Sequence, residues 1–94
     1  MKGLLEVSIP VSFFREDDKY IAYTPVLDLS TYGSTEEEAK RRFSEVVKIF
    51  FDQLDEKGTL HEVLTELGWR RVDRNWQPPK VKTEYESIKL PALV

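Results

Sequence analysis

An α+β fold is predicted, with a small antiparallel sheet covered on one face by a long helix. Three observations predict it. Apolar and polar residues alternate with a period of two through "LLEVSIPVSFF" and again through "KYIAYT". A stretch opening at "STEEEA" then carries apolar side chains at helical spacing as far as Gly58. The links between the strand-like runs are short, and short links join antiparallel neighbours.

The first strand is expected over residues 4–14. Leu5, Val7, Ile9, Val11 and Phe13 point one way, and Leu4, Glu6, Ser8, Pro10, Ser12 and Phe14 the other. Pro10 has no N–H to donate, so this strand belongs at an edge or carries a bulge. "REDDK", Arg15 to Lys19, reads as a hairpin turn. The second strand follows, with Tyr20, Ala22 and Thr24 on one face and Ile21 and Tyr23 on the other. Pro25 ends or kinks it. "VLDLSTY" is a third, shorter strand closing at Gly33.

The helix start is the clearest local signal. Ser34 with Glu37, or Thr35 with Glu38, forms a capping box, and three glutamates suit the positive end of the helix dipole. Ala39, Phe43, Val46, Val47, Phe50 and Leu54 make the buried stripe, and the helix should end near Lys57 with Gly58 as its stop. Ile49 and Phe51 widen the apolar surface beyond one stripe. A second, short helix is expected next. Thr59 and Glu62 form its capping box, Leu60, Val63, Leu64 and Leu67 its buried face, and Gly68 its end. "WRRVDRNWQPPK" reads as a basic, turn-rich connector in which Pro78–Pro79 enforce extended chain. "EYESIKLPALV" is strand-like.

Ninety-four residues make one domain, 1–94, with a core over 4–68, a connector over 69–82 and a strand-like tail over 83–94. A core this small gains from association, so a homo-oligomer, a dimer or higher, is expected. The absence of cysteine excludes disulfides and thiolate metal sites and fits a reducing cytoplasm. Polar Glu6 and Ser8 interrupt the N-terminal apolar run, unlike a signal peptide. No segment has the apolar length to span a membrane. The chain reads as cytoplasmic.

Net charge is −3, which argues against generic nucleic-acid binding. The charge is unevenly spread. Arg70, Arg71, Arg74, Lys80 and Lys82 against Asp73 make the connector +4 and leave −7 on the remainder. An acidic body suits a basic partner, and it also simply confers solubility.

Little chemistry announces itself. Asp17, Asp18 and Asp28 are the acids available to converge on a divalent metal, but Asp17 and Asp18 are also ordinary hairpin-turn residues. His61 is the single histidine, falls early in the short helix and lacks companion ligands at metal spacing. There is no phosphate-cradling glycine loop. Nothing favours an enzyme, and no cofactor is expected. "WRRVDRNWQPPKVK" mixes cations with two indoles, as single-strand binders do. The simpler reading is that Trp69 and Trp76 anchor the connector while the arginines extend over them. No DNA-binding helix pair is evident beyond the helices the core already uses.

Taken together, "DDKYIAYTPVLDLSTYGSTEEEAKRRFSEVVKIFF" resembles the N-terminal domain of the HicB antitoxin family over about residues 5–56. The resemblance rests on the charged turn Asp17–Asp18, the Tyr20-Ile21-Ala22 strand, Pro25, Tyr32-Gly33, and Thr35-Glu36-Glu37-Glu38-Ala39 opening the helix. It implies a β-β-β-α partial ribonuclease-H-like fold without nuclease activity. It also implies a partner, a small basic HicA-like toxin that cleaves mRNA and is masked when bound. The chain departs from the family pattern at Thr24 and "VLDLS", where members often carry Cys-Pro and Pro-Gly-Cys, and after the long helix, where many carry a DNA-binding domain.

The expected partner-binding residues are Asp17, Asp18, Tyr20, Tyr23, Asp28 and Tyr32, as acids and aromatic anchors on the solvent face of the sheet. Two other readings are a solitary homo-oligomeric HicB-like module without a toxin, its tail exchanged between subunits, and a metal-dependent nuclease using Asp17, Asp18 and Asp28.

Overall fold

The structure is a computed structural model, and residues 6–92 are described. Its elements are β1 (Ser12–Glu16), β2 (Lys19–Thr24), β3 (Leu29–Gly33), α1 (Glu36–Lys57), α2 (Leu60–Glu66), β4 (Arg70–Val72) and β5 (Asn75–Gln77). The fold is α+β. β1, β2 and β3 form an antiparallel sheet in sequence order, and β4 and β5 a separate hairpin. Register runs from Ser12 opposite Tyr23 to Glu16 opposite Lys19, and from Tyr20 opposite Gly33 to Thr24 opposite Leu29.

The sheet is narrower than its sequence suggests. The first strand begins at Ser12, not in the region of residue 4, and residues 6–11 have no regular structure. Pro10 cannot join a ladder, so pairing starts only beyond it. Ile9 and Val11 still pack against the core, whereas Val7 and Phe13 stay exposed. Leu4 and Leu5 lie outside the described residues. The third strand begins at Leu29, because Pro25 to Asp28 form the turn from β2. Two apolar residues of that turn, Val26 and Leu27, are buried in the core. A run of apolar residues thus mimics a strand while serving as an inward-folded turn. Asp28 closes it at φ 49°, a left-handed conformation that aspartate tolerates better than most residues. Asp17 and Asp73 hold φ 56° and 57° in the two other hairpin turns.

Thr35 is the N-cap of α1, its hydroxyl accepting from the Glu38 N–H at 3.1 Å. The Glu38 carboxylate accepts from the Ser34 hydroxyl at 3.0 Å and pairs with Arg42 at 3.0 Å. The Ser34 hydrogen bond, helped by the weaker pull of the Arg42 charge, holds that carboxyl below its usual range against the opposing effect of desolvation. Gly58 and Gly68 end the two helices with positive φ. Each does so in the paired hydrogen-bond pattern of a Schellman motif, Gly58 to Asp55 with Thr59 to Leu54, and Gly68 to Thr65 with Trp69 to Leu64. This explains why the expected capping box of α2 does not form. The Thr59 N–H is used to close α1, its ψ of 10° is not the extended conformation of a side-chain cap, and it makes no side-chain cap bond.

Two clusters make the core. Ala22, Ala39 and Phe43 join the sheet to the first half of α1. Val26, Leu27, Leu64 and Trp69 join the β2–β3 turn to α2 and the start of the connector. Trp69 is the residue after the glycine of the second Schellman motif, and it packs with Leu64, the apolar pair such a motif favours. Phe51 is absorbed here, edge to face with Trp69 at 6.4 Å, while Ile49 remains exposed.

The connector is more ordered than its composition suggests, since β4 and β5 pair from Arg70–Gln77 to Val72–Asn75. Trp76 is half-buried and meets the His61 ring edge-on at 5.3 Å. Both indoles therefore anchor the connector to the body. The tail does not form the expected last strand. Residues 83–92 have no assigned structure and are exposed, and residues 93–94 lie outside the described range. A strand needs a neighbour to pair with, and this tail meets none among the described residues.

Thr24 presents an anomaly. It is fully buried, and its hydroxyl has no hydrogen-bond partner. Leaving a buried hydroxyl unpaired costs about 1–3 kcal/mol. Thr24→Val keeps the shape and removes that polar atom. It is expected to raise stability by about 1 kcal/mol, read as a Tm increase of about 4–8 °C. A Tm that falls in a thermal melt would show that the hydroxyl is hydrogen-bonded in solution.

Candidate functional site

The candidate site is the face of the sheet turned away from α1. Strand alternation and register put Ser12, Phe14 and Glu16 of β1, Lys19, Ile21 and Tyr23 of β2, and Ser30 and Tyr32 of β3 on it. The opposite face carries Ala22 and Thr24 into the core. Phe14 and Tyr32 are exposed, and Ile21 and Tyr23 half-exposed.

The expected site residues divide into three places. Asp17, Asp18 and Tyr32 come together in a shallow cleft of about 330 Å³, which Glu16, Lys19 and Ile21 complete. Tyr32 is held there by cations, with the Lys19 ammonium 4.5 Å from its ring centre and the Arg42 guanidinium 5.8 Å from it. Arg42 also donates to the Tyr32 carbonyl at 3.1 Å, so a helix side chain covers part of the β3 edge.

Tyr23 and Asp28 meet at the other end of β2, where the tyrosine hydroxyl donates to the carboxylate at 3.2 Å. Desolvation, and then the Asp28 hydrogen bond and charge, hold the Tyr23 hydroxyl above its ordinary pKa, so it stays a neutral donor through the physiological range.

Tyr20 is in the third place and is not on this face. It is half-buried on the helix side, packed against the Ala22, Ala39 and Phe43 cluster, with the Arg15 guanidinium 5.6 Å from its ring centre. The period of two explains this directly. Tyr20 and Tyr23 are three residues apart on one strand and must face opposite ways.

A divalent-metal centre built from Asp17, Asp18 and Asp28 does not assemble. The first two sit in the β1–β2 turn and the third in the β2–β3 turn. β2 separates them, about 20 Å at a strand's rise per residue. Among the described residues no group of three or more His, Asp or Glu side chains is placed to hold a metal ion. His61 is exposed and its ring meets that of Trp76.

Glu16, Lys19 and Ile21 in the cleft, and Arg42 against Tyr32 beside it, are the residues that sequence reasoning missed. The one sequence cue to Arg42 is its i+4 spacing from Glu38, and Lys19 comes beside Tyr32 only through the β2–β3 pairing. A second cleft, of about 500 Å³, opens where Glu6 to Ile9 cross Val47, Phe51 and Trp69. No helix among the described residues is long and apolar enough to cross a membrane.

The sheet offers a polar and aromatic face for contact, with acids at both ends and two anchored tyrosines between. No family model, no curated protein and no solved structure matches the chain.

Proposed function

We propose that the chain is a HicB-like antitoxin, or a related non-catalytic regulatory protein, that binds and masks a small basic mRNA-cleaving toxin of the HicA kind. The observation that carries this reading is the uncovered outer face of a β-β-β-α unit, bearing Tyr23 and Tyr32 between the acids Asp28 at one end and Asp17 and Asp18 at the other. Tyrosines already held in position lose little freedom on binding and make good anchors. The acids speed the encounter with a basic partner and orient it. A cytoplasmic site of action follows from this reading, and the lack of cysteine supports it.

The test is a tagged pull-down from the native host, read by mass spectrometry, with the recovered protein then assayed for RNA cleavage. A small basic ribonuclease recovered in equal amount is the expected result. The Asp28→Ala, Tyr32→Ala double variant should bind it about 30-fold more weakly, the scale of one interface hot spot. Undiminished binding by that variant would remove this face from the proposal. Recovery of the chain alone would instead favour a solitary HicB-like homo-oligomer. One observation supports that second reading, the uncovered apolar side chains of residues 83–92.

A further inference from the structure

The tail is the part of the molecule with no structural account inside one chain. Tyr85 is fully exposed, and Ile88 and Leu90 are 73% and 75% exposed. Apolar side chains this open in a row mark a contact surface. The tail also spoils the compactness of the chain. The radius of gyration is 16.5 Å and the longest extent 61 Å, against about 12 Å for the radius of a compact domain of this length.

The sheet has a matching vacancy. Among the described residues β1 pairs only with β2, and all five of its residues are exposed, with Phe13 on the helix side and Phe14 on the outer side. The other edge, β3, is guarded by Arg42 on the Tyr32 carbonyl. β1 therefore has a free hydrogen-bonding edge and uncovered apolar side chains on both faces.

We propose that residues 85–90 of one copy add as an antiparallel fourth strand to the β1 edge of a second copy. The exchange is reciprocal and closes a two-fold dimer.

One register satisfies the helix side of the sheet. It sets Leu90 opposite Val11, Ile88 opposite Phe13 and Glu86 opposite Arg15 on the helix side, and Lys89 opposite Ser12, Ser87 opposite Phe14 and Tyr85 opposite Glu16 on the outer side. On the helix side apolar residues then meet apolar ones and the one cation of β1 meets an anion, while the outer side pairs polar residues with Phe14 and Glu16. Val11 already packs against the Ala22, Ala39 and Phe43 cluster, so the added strand extends that core.

On their own body residues 80–92 stay exposed and without strand pairing, and the connector lets them reach a second copy. Pro78 and Pro79 are half-buried, and Pro79 lies against Gly68, which pins the tail's origin. The stretch from Pro79 to Leu90 reaches about 36 Å when extended, more than the 29 and 20 Å of the two shorter extents. Each chain holds both a strand to give and an edge to receive it, so two chains satisfy all four at once. The outer face of the sheet stays open, and the proposal is independent of the toxin-binding reading.

The experiment uses the full chain. Light scattering during gel filtration at micromolar concentration is expected to give twice the chain mass. Ile88→Asp with Leu90→Asp, both at exposed positions, should weaken dimerisation on the order of 100-fold and leave the circular dichroism of the body unchanged. Because the chain has no cysteine, Ser12→Cys with Lys89→Cys supplies the only thiols, and mild oxidation should yield a covalent dimer. A monomeric native chain overturns the proposal, as does a dimer indifferent to the two aspartates. A disulfide closed within one chain also overturns it, since it would put the tail on its own β1, and so does a tail covered only when a toxin is added. A native dimer alongside failed toxin recovery would leave this proposal standing and overturn the other.

Discussion

Trp69→Ala is expected to remove about 3–5 kcal/mol of stability, the range for deleting a large aromatic side chain from a core. Domains of this kind have only about 5–15 kcal/mol in all, so the variant should be largely unfolded or close to it at 37 °C. The reason is the number of elements that meet on this indole. Trp69 is buried in one cluster with Val26 and Leu27 of the β2–β3 turn and Leu64 of α2, and its ring meets Phe51 of α1. Its Nε1–H donates to the Val26 carbonyl at 2.8 Å, inside the core. That bond gives the inward-folded turn a partner for a backbone carbonyl that water does not reach. Trp69→Phe separates the two contributions. It keeps most of the packing and loses the hydrogen bond, so urea unfolding should show a loss of about 1–3 kcal/mol. A Trp69→Phe protein as stable as the parent would mean that the bond contributes nothing and packing alone holds the turn.

Gly33→Ala is expected to cost about 1–3 kcal/mol, the usual penalty of overpacking, and to lower Tm by roughly 4–8 °C for each kcal/mol lost. The sign is not obvious in advance, because replacing glycine in a strand ordinarily helps by restricting the unfolded chain, by about 0.4–1 kcal/mol. Here the close approach decides. A Cβ on Gly33 would lie 2.6 Å from the Ala39 nitrogen and 2.9 Å from Glu38 atoms, part of them backbone. Neither the strand end nor the first turn of α1 can give way without disturbing the Thr35 cap and the Ala22–Ala39 contact. Gly33 is thus the point where β3 and α1 touch, and Tyr32 of the candidate site stands beside it. A differential scanning calorimetry trace with unchanged Tm would refute that close approach.

Local signals carried much of the architecture. Thr35 with Glu38 announced the helix start and Gly58 its end, because caps are satisfied by residues a few positions away. Alternation in "KYIAYT" announced β2 and its two faces, and the structure buries the one that carries Ala22 and Thr24. The same period already separated Tyr20 from Tyr23, so the departure of Tyr20 from the candidate face was legible in the sequence itself. Three features were not. "PVLD" reads as strand because burial makes turn and strand alike apolar, and only Trp69, far along the chain, shows why Val26 and Leu27 fold inward. The β4–β5 hairpin hid in basic, polar composition, its one cue being Asp73 at the turn.

The candidate cleft needed a register as well. Asp17, Asp18 and Tyr32 are adjacent only because Ile21 pairs with Tyr32, whereas Asp28, in the next turn, is carried to the far end of β2. The sequence by itself determined the order of strands and helices, the caps that bound α1, the charge division between body and connector, and the supply of acids and tyrosines. Tertiary structure alone decided which of them share a face, that Gly33 must lack a side chain, and that the tail and the β1 edge both lack a strand partner among the described residues. Caps and periodicity act over one or two turns of chain, within reach of neighbouring residues. Faces, clefts and free edges are set by pairings between distant segments, which no local pattern records.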